Sequence, residues 1–196
     1  MVDALDTFSF PPLPPMTRDE YWWAGTDRLA GWGELQVRPH GYSLEQRPLG
    51  RVDVWAVTAD PHQLLQPFRF ATPFPQQVRA YGFLKVNSPE LFDRILEAVF
   101  HYYPQVGIDY EDAVPEIHSP ADLKRFLGID KVILSELCRD DSAYMGFVFA
   151  CIWDSEHGLG VMTHGMRVLS IGQSDAASDL GPPLDDGGVF APNDRV

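Results

Sequence analysis

The stretch from Ala143 to Trp153 holds eleven consecutive residues without a charged side chain. It is far shorter than the ~20 apolar residues of a membrane-spanning helix. Turn-forming clusters bound it on both sides, Arg139-Asp140-Asp141-Ser142 before it and Asp154 to His157 after it. A short run of aromatic and aliphatic residues between turn signals reads as a strand apolar on both faces. Such a strand cannot lie at a surface, so the chain must build a sheet around it and cover both sides of that sheet.

The neighbouring residues supply the sheet. Lys131 to Cys138 reads as the preceding strand, and Leu159 to His164 and Arg167 to Gly172 read as a hairpin around Gly165-Met166. A glycine first in a two-residue loop suits that turn. Helices come earlier. Pro75 to Val86 forms one, with Val78, Tyr81 and Leu84 on its buried side. Ser88-Pro89-Glu90 starts a second, because serine caps an orphan N–H and proline wastes no donor at the first position. Leu91, Phe92, Ile95, Leu96, Val99, Phe100 and Tyr103 then recur with helical period until Pro104 stops them. His101 faces outward in the last turn. Ser119-Pro120 opens a third, short helix to Leu127, ended by Gly128 as a left-handed residue. The predicted class is α+β, an antiparallel sheet with a C-terminal meander packed against two or three α-helices.

The remaining segments frame this unit. Residues 1–16 form a proline-rich arm, with Pro11, Pro12, Pro14 and Pro15 around Phe8, Phe10 and Leu13, expected to lie across its own domain. Thr17 and Glu20 have capping-box spacing ahead of Tyr21, Trp22 and Trp23, which predicts a short helix followed by glycine-rich turns to Gly33. Glu34 to Arg38 alternates as a strand does, and Arg51 to Thr58 places Val52, Val54 and Ala56 on one face. Residues 61–75, with four prolines, predict a long irregular connection. Polar residues dominate from Gln173, so residues 173–196 are expected to be a disordered acidic tail and residues 17–172 a single domain.

Charge narrows the function classes. Lys and Arg total 15 against 28 Asp and Glu, a net charge of −13. That field repels phosphate backbones and anionic lipid, which excludes nucleic acid and membrane surfaces as partners and favours a basic protein. No basic leader opens the chain, and a cytoplasmic location is expected. Cys138 and Cys151 read as buried, inert thiols, and the six histidines form no metal-binding pair. Neither cofactor nor metal is expected, and nothing sets the oligomeric state. The run Asp109, Glu111, Asp112, Glu116 and Asp122 lacks the spacing of a calcium loop and reads as solvated.

One constellation stands out. Trp153-Asp154-Ser155-Glu156-His157-Gly158-Leu159-Gly160-Val161 concentrates two carboxylates, an imidazole and two glycines at a strand-to-strand turn. The foremost reading is structural: Asp bonds its own backbone, Gly supplies positive φ, and Trp anchors the strand end. A partner or ligand site at Asp154, Glu156, His157 and Gly158 is the second. Catalysis is the third, with a carboxylate orienting an imidazole as general base or with Asp, Glu and His as metal ligands. His164 cannot join that set from the same strand, because seven residues at ~3.3 Å each separate it from His157 by about 23 Å.

These residues carry a resemblance. The helix ending Phe100-His101-Tyr102-Tyr103, the Ser119-Pro120-Ala121-Asp122-Leu123 start, the Gly146-Phe147-Val148-Phe149 strand and the Trp153-Asp154-x-Glu156-His157-Gly158-x-Gly160-Val161 motif resemble a bacterial domain family of unknown function, over residues 76 to 172. Some members look like immunity or accessory proteins of toxin systems. The resemblance, with the acidic charge, implies a non-catalytic protein-binding domain. The alternative is a metal-dependent or general acid/base hydrolase using Asp154, Glu156 and His157.

Overall fold

A computed structural model describes residues 7–18, 22–37, 51–57, 72–109 and 115–190, and among these nine strands form one open sheet. In chain order they are β1 (Thr7–Phe8), β2 (Met16–Arg18), β3 (Trp22–Arg28), β4 (Arg51–Val57), β5 (Leu127–Arg139), β6 (Ser142–Cys151), β7 (Leu159–His164), β8 (Arg167–Gly172) and β9 (Val189–Phe190). Helix α1 (Pro75–Asp109) lies between β4 and β5, and the short α2 (Gly181–Asp185) precedes β9. Spatial order follows chain order from β1 to β8. All pairs are antiparallel except β4–β5, which is parallel. Parallel neighbours need a long crossover, and α1 lies in that connection. β9 pairs with β5 at Leu137 and Cys138, past Leu134 where the β4 ladder stops.

The α+β class holds, with a sheet that reaches well beyond the C-terminal meander. β6 is its doubly buried strand. Met145, Phe147 and Phe149 point toward α1, where Trp32 stacks against Phe147, Phe149 and Phe92 at 5.3, 5.9 and 4.7 Å. Tyr144 points to the other face, where it clusters with Leu137 and Met162. Cys138 and Cys151 are both buried but sit at opposite ends of the β5–β6 ladder.

Several local readings give way to tertiary packing. The predicted break at Ser88-Pro89 and stop at Pro104 are absent, since α1 runs through both prolines. Ser88 caps nothing: its hydroxyl donates to the Ala30 carbonyl at 3.1 Å, and its own carbonyl accepts the Trp32 indole N–H at 3.3 Å. An interior proline costs ~3 kcal/mol. The helix buries Tyr81, Leu84, Leu91, Phe92, Ile95, Leu96, Val99, Tyr103 and Val106, and at ~1.5–3 kcal/mol for each large apolar side chain that stripe outweighs two prolines.

Gly128 is not a left-handed terminator either. It lies within β5, where a Cβ would come 1.8 Å from the Val37 carbonyl oxygen, so only glycine admits that close approach. The short helix before it is a 3-10 turn, Pro120–Arg125. The predicted helix at Thr17 is a pair of strands, β2 and β3, because Trp23 must enter the core while Trp22 stacks on Trp55 at 4.8 Å on the opposite face. The predicted strand at Glu34 is replaced by a 3-10 turn at Trp32–Glu34.

The C-terminal expectation is corrected most. Residues 173–190 are ordered onto the sheet: a 3-10 turn (Ser174–Ala177) packs on β6, β7 and β8, α2 packs on β5 and β8, and β9 pairs with the end of β5. Glycines on β6 and β7 make room, since a Cβ on Gly146 would meet the Ala177 carbonyl oxygen at 1.7 Å and one on Gly160 the Gln173 oxygen at 2.4 Å. Asp186 then ties the segment down, pairing with Arg139 at 3.0 Å and Arg167 at 2.5 Å and accepting from the Tyr144 hydroxyl at 3.1 Å. Composition missed this because few apolar residues suffice when backbone lies directly on glycine.

In the proline-rich segment, Pro12 packs 3.3 Å from where a Gly82 Cβ would be, Leu13 and Met16 are buried, and Phe8 and Phe10 meet the Trp23 ring edge-on at 5.2 and 5.1 Å. Residues 1–6, Glu20, most of the 61–75 connection, Glu111, Asp112 and the chain past 190 lie outside the described residues. Among the described residues no helix is long and apolar enough to cross a membrane.

A cleft beside the Trp153–Gly158 corner

Asp154 builds the corner between β6 and β7. Its side chain is 6% exposed, and Oδ1 accepts the His157 backbone N–H at 2.8 Å while lying 3.1 Å from His157 Nδ1. Its carbonyl accepts the Gly158 N–H at 2.9 Å and the Cys151 thiol at 3.4 Å. This is the self-capping turn that Asp favours. Gly158 has φ 69°, and a Cβ there would lie 2.6 Å from the Phe149 oxygen, so the turn demands glycine twice over. Trp153 is buried, edge-on to Tyr103 at 5.1 Å. The Tyr103 hydroxyl donates to the Pro115 carbonyl at 2.8 Å.

Beside this corner opens a cleft of about 350 Å³. Tyr102 and Val106 from α1 form one wall, Trp153, Asp154, Gly158 and Leu159 from the corner another, and Gly172 and Gln173 the third. Gln173 Nε2 donates to Asp154 Oδ2 at 3.4 Å, and the Ser174 N–H donates to the His157 carbonyl at 3.2 Å. The C-terminal segment is therefore part of the site. Burial pushes the Cys151 thiol up to about 12, and burial followed by the neighbouring Cys151 does the same to the Tyr103 hydroxyl. Both stay protonated and neutral near pH 7.

Of the sequence-predicted site, Asp154 and Gly158 line the cleft. Glu156 and His157 do not: both are exposed and neither is part of its lining. His164 is engaged elsewhere, 3.0 Å from the Arg139 carbonyl and against the Tyr144 ring. Asp122 caps its own turn, accepting from the His118 and Ser119 N–H groups at 3.0 and 2.9 Å. Among the described residues no three His, Cys, Asp or Glu side chains are placed to hold a metal ion. Sequence reasoning missed Tyr102, Val106, Gly172 and Gln173. The available signal was small residues facing one another, Gly160 and Gly172, which pair across β7–β8.

A family model described as a domain of unknown function (DUF6985) matches residues 54–178, more than half of the chain. The chain belongs to this family. The match spans every residue that lines the cleft, whereas α2, Asp186 and β9 of this DUF6985 member fall outside it. No curated protein and no solved structure matches the chain.

Proposed function

We propose that this DUF6985 domain is a non-catalytic binding module for a basic polypeptide, docking through the acidic side that carries the Trp153–Gly158 corner. The distribution of charge carries the reading. Arg79, Lys85, Arg94, Lys124, Arg139 and Arg167 each pair with a carboxylate of the chain itself. Glu156, Asp175 and Asp179, on the corner and the turns after it, are exposed and have no Lys or Arg partner among the described residues. Exposed carboxylates without a basic partner on a chain of net charge −13 steer and select basic partners. A role of immunity or accessory type, inside a bacterial cell, belongs to the same proposal.

Calorimetric titration with oligolysine and oligoglutamate at low and high salt tests it. Oligolysine should bind and weaken steeply as salt rises, and E156Q/D175N/D179N should weaken it further. Binding indifferent to peptide charge or to salt overturns docking.

One contact favours a second reading. The Asp154–His157 approach is that of a carboxylate orienting an imidazole, as a general base or a metal ligand requires. A hydrolase of this kind predicts thermal stabilisation by a divalent ion that His157→Ala abolishes. The docking reading predicts neither effect.

A further inference from the structure

We infer that the cleft between Tyr102 and Asp154 takes a cation on an apolar stem, the ammonium or guanidinium of a lysine or arginine side chain. The inference deepens the docking proposal above and rests on it for the identity of the partner. Three observations converge on this ligand class. The walls supply apolar surface from Trp153, Val106 and Leu159, which suits a methylene stem. Among the described residues the one charged side chain lining the cleft is Asp154, and neither Lys nor Arg lines it. The carboxylate is held rigid before any ligand arrives, because His157 fixes Oδ1 through two contacts and Gln173 meets Oδ2. A preorganised acceptor loses little freedom on binding.

Size sharpens the class. At about 350 Å³ the cleft is at the small end of ligand sites, which run from ~300 to ~1,000 Å³. One long side chain fits such a volume, and a dinucleotide cofactor does not. With its N–H group turned to Asp154, Gln173 keeps Oε1 as a further acceptor, and the Tyr102 ring adds an aromatic face to the lining. Anions meet a carboxylate and no cationic side chain among the described lining residues, so the site discriminates by sign as well as by shape.

The test is a titration of the full chain followed by backbone amide chemical shifts. The probes are agmatine and n-butylamine, with n-butanol as the neutral and butyrate as the anionic analogue. Both cations should shift Gly158, Gly172 and Gln173 saturably, and the two analogues should not. Asp154→Asn keeps the cap, since Asn serves as well as Asp there. It removes the charge, and loss of a charge-assisted contact should weaken the cations at least about tenfold. Glu97→Gln, one carboxylate fewer on the exposed side of α1 and outside the cleft, should bind as the parent does. If Asp154→Asn fails to fold, Val106→Phe fills the cleft from α1 and should abolish the shifts. Equal response to n-butanol, or full affinity in Asp154→Asn or in Val106→Phe, overturns the inference. Oligolysine bound with the cleft silent overturns it while leaving docking intact, and cations in the cleft without oligolysine binding do the reverse.

Discussion

Replacing Gly146 by alanine tests whether the C-terminal segment is integral to the fold. The added methyl would be 1.7 Å from the Ala177 carbonyl oxygen and 2.6 Å from its carbon. An ordinary carbon–oxygen contact is ~3.3 Å, so the turn must retreat by about 1.5 Å. β6 cannot move instead, being paired on both edges and packed against α1. Overpacking alone costs ~1–3 kcal/mol. If the turn lifts away, Leu137, Tyr144 and Met162, each now fully buried, lose their cover. At ~1.5–3 kcal/mol for each side chain the upper bound is about 5–9 kcal/mol. The expected loss is about 3 kcal/mol or more, which lowers the melting temperature of a chain this size by roughly 6–12 °C. Urea denaturation measures the loss, and hydrogen exchange shows whether residues 174–188 become unprotected first. Gly33→Ala is the control, because nothing lies within 4 Å of its Cβ position. A Gly146→Ala protein within about 0.5 kcal/mol of the parent, with residues 174–188 still protected, would refute the reasoning.

Three further outcomes follow from the ionisable groups. Burial raises the Asp186 carboxyl, but hydrogen bonds from Arg167, Tyr144 and Arg139 more than offset it and hold the group below the usual carboxylate range. A folded value below the unfolded one stabilises at neutral pH and is lost as pH falls through the folded value. Acid should therefore loosen residues 174–188 in hydrogen exchange, and Asp186→Asn should be weaker at neutral pH but flatter in acid. Burial, with Asp27 at 2.5 Å, holds the Tyr81 hydroxyl well above ordinary tyrosine, and burial first raises Tyr103 and Tyr144 to about 12. The folded chain then keeps protons that the unfolded one releases above about pH 10, so stability falls as pH rises past that point. Ultraviolet titration should show these three tyrosines ionising only as the protein unfolds. Both cysteines are buried, and burial raises both thiols, Cys151 to about 12. A chromogenic disulfide reagent should label neither in the native protein and both in denaturant.

The strands of the meander were legible because their signals are local. Asp140 and Asp141 both adopt positive φ, 49° and 64°, and Gly165 turns at 55°, as short polar loops between apolar runs require. What escaped sequence reasoning was set by contacts distant in the chain. Ser88 reads as a helix start until Ala30 and Trp32, more than fifty residues earlier, take both its polar groups. Gly128 reads as a helix stop until Val37 is found against it. In each case a residue with two uses in local structure was used in neither.

The site divides along the same line. The corner is legible because Asp154, His157 and Gly158 act on one another within five residues. The cleft is not, because its walls come from three places that local rules assign otherwise. Val106 exists as a wall only because α1 continues past Pro104, and Gln173 only because the polar segment after β8 is seated on Gly160. The histidine that made the motif look catalytic is exposed and outside the lining, while the aspartate that seemed to serve only the turn lines the cleft. One carboxylate thus performs both tasks: the bonds that bend the backbone are the bonds that hold a negative charge still beside an apolar wall. A substitution that relaxes the turn should therefore weaken binding even where the charge survives. Asp154→Glu supplies that case, since its extra methylene displaces the carboxylate from the His157 N–H. It should lower stability and cation affinity together, whereas Asp154→Asn, which keeps an acceptor for the His157 N–H, should lower affinity more than stability.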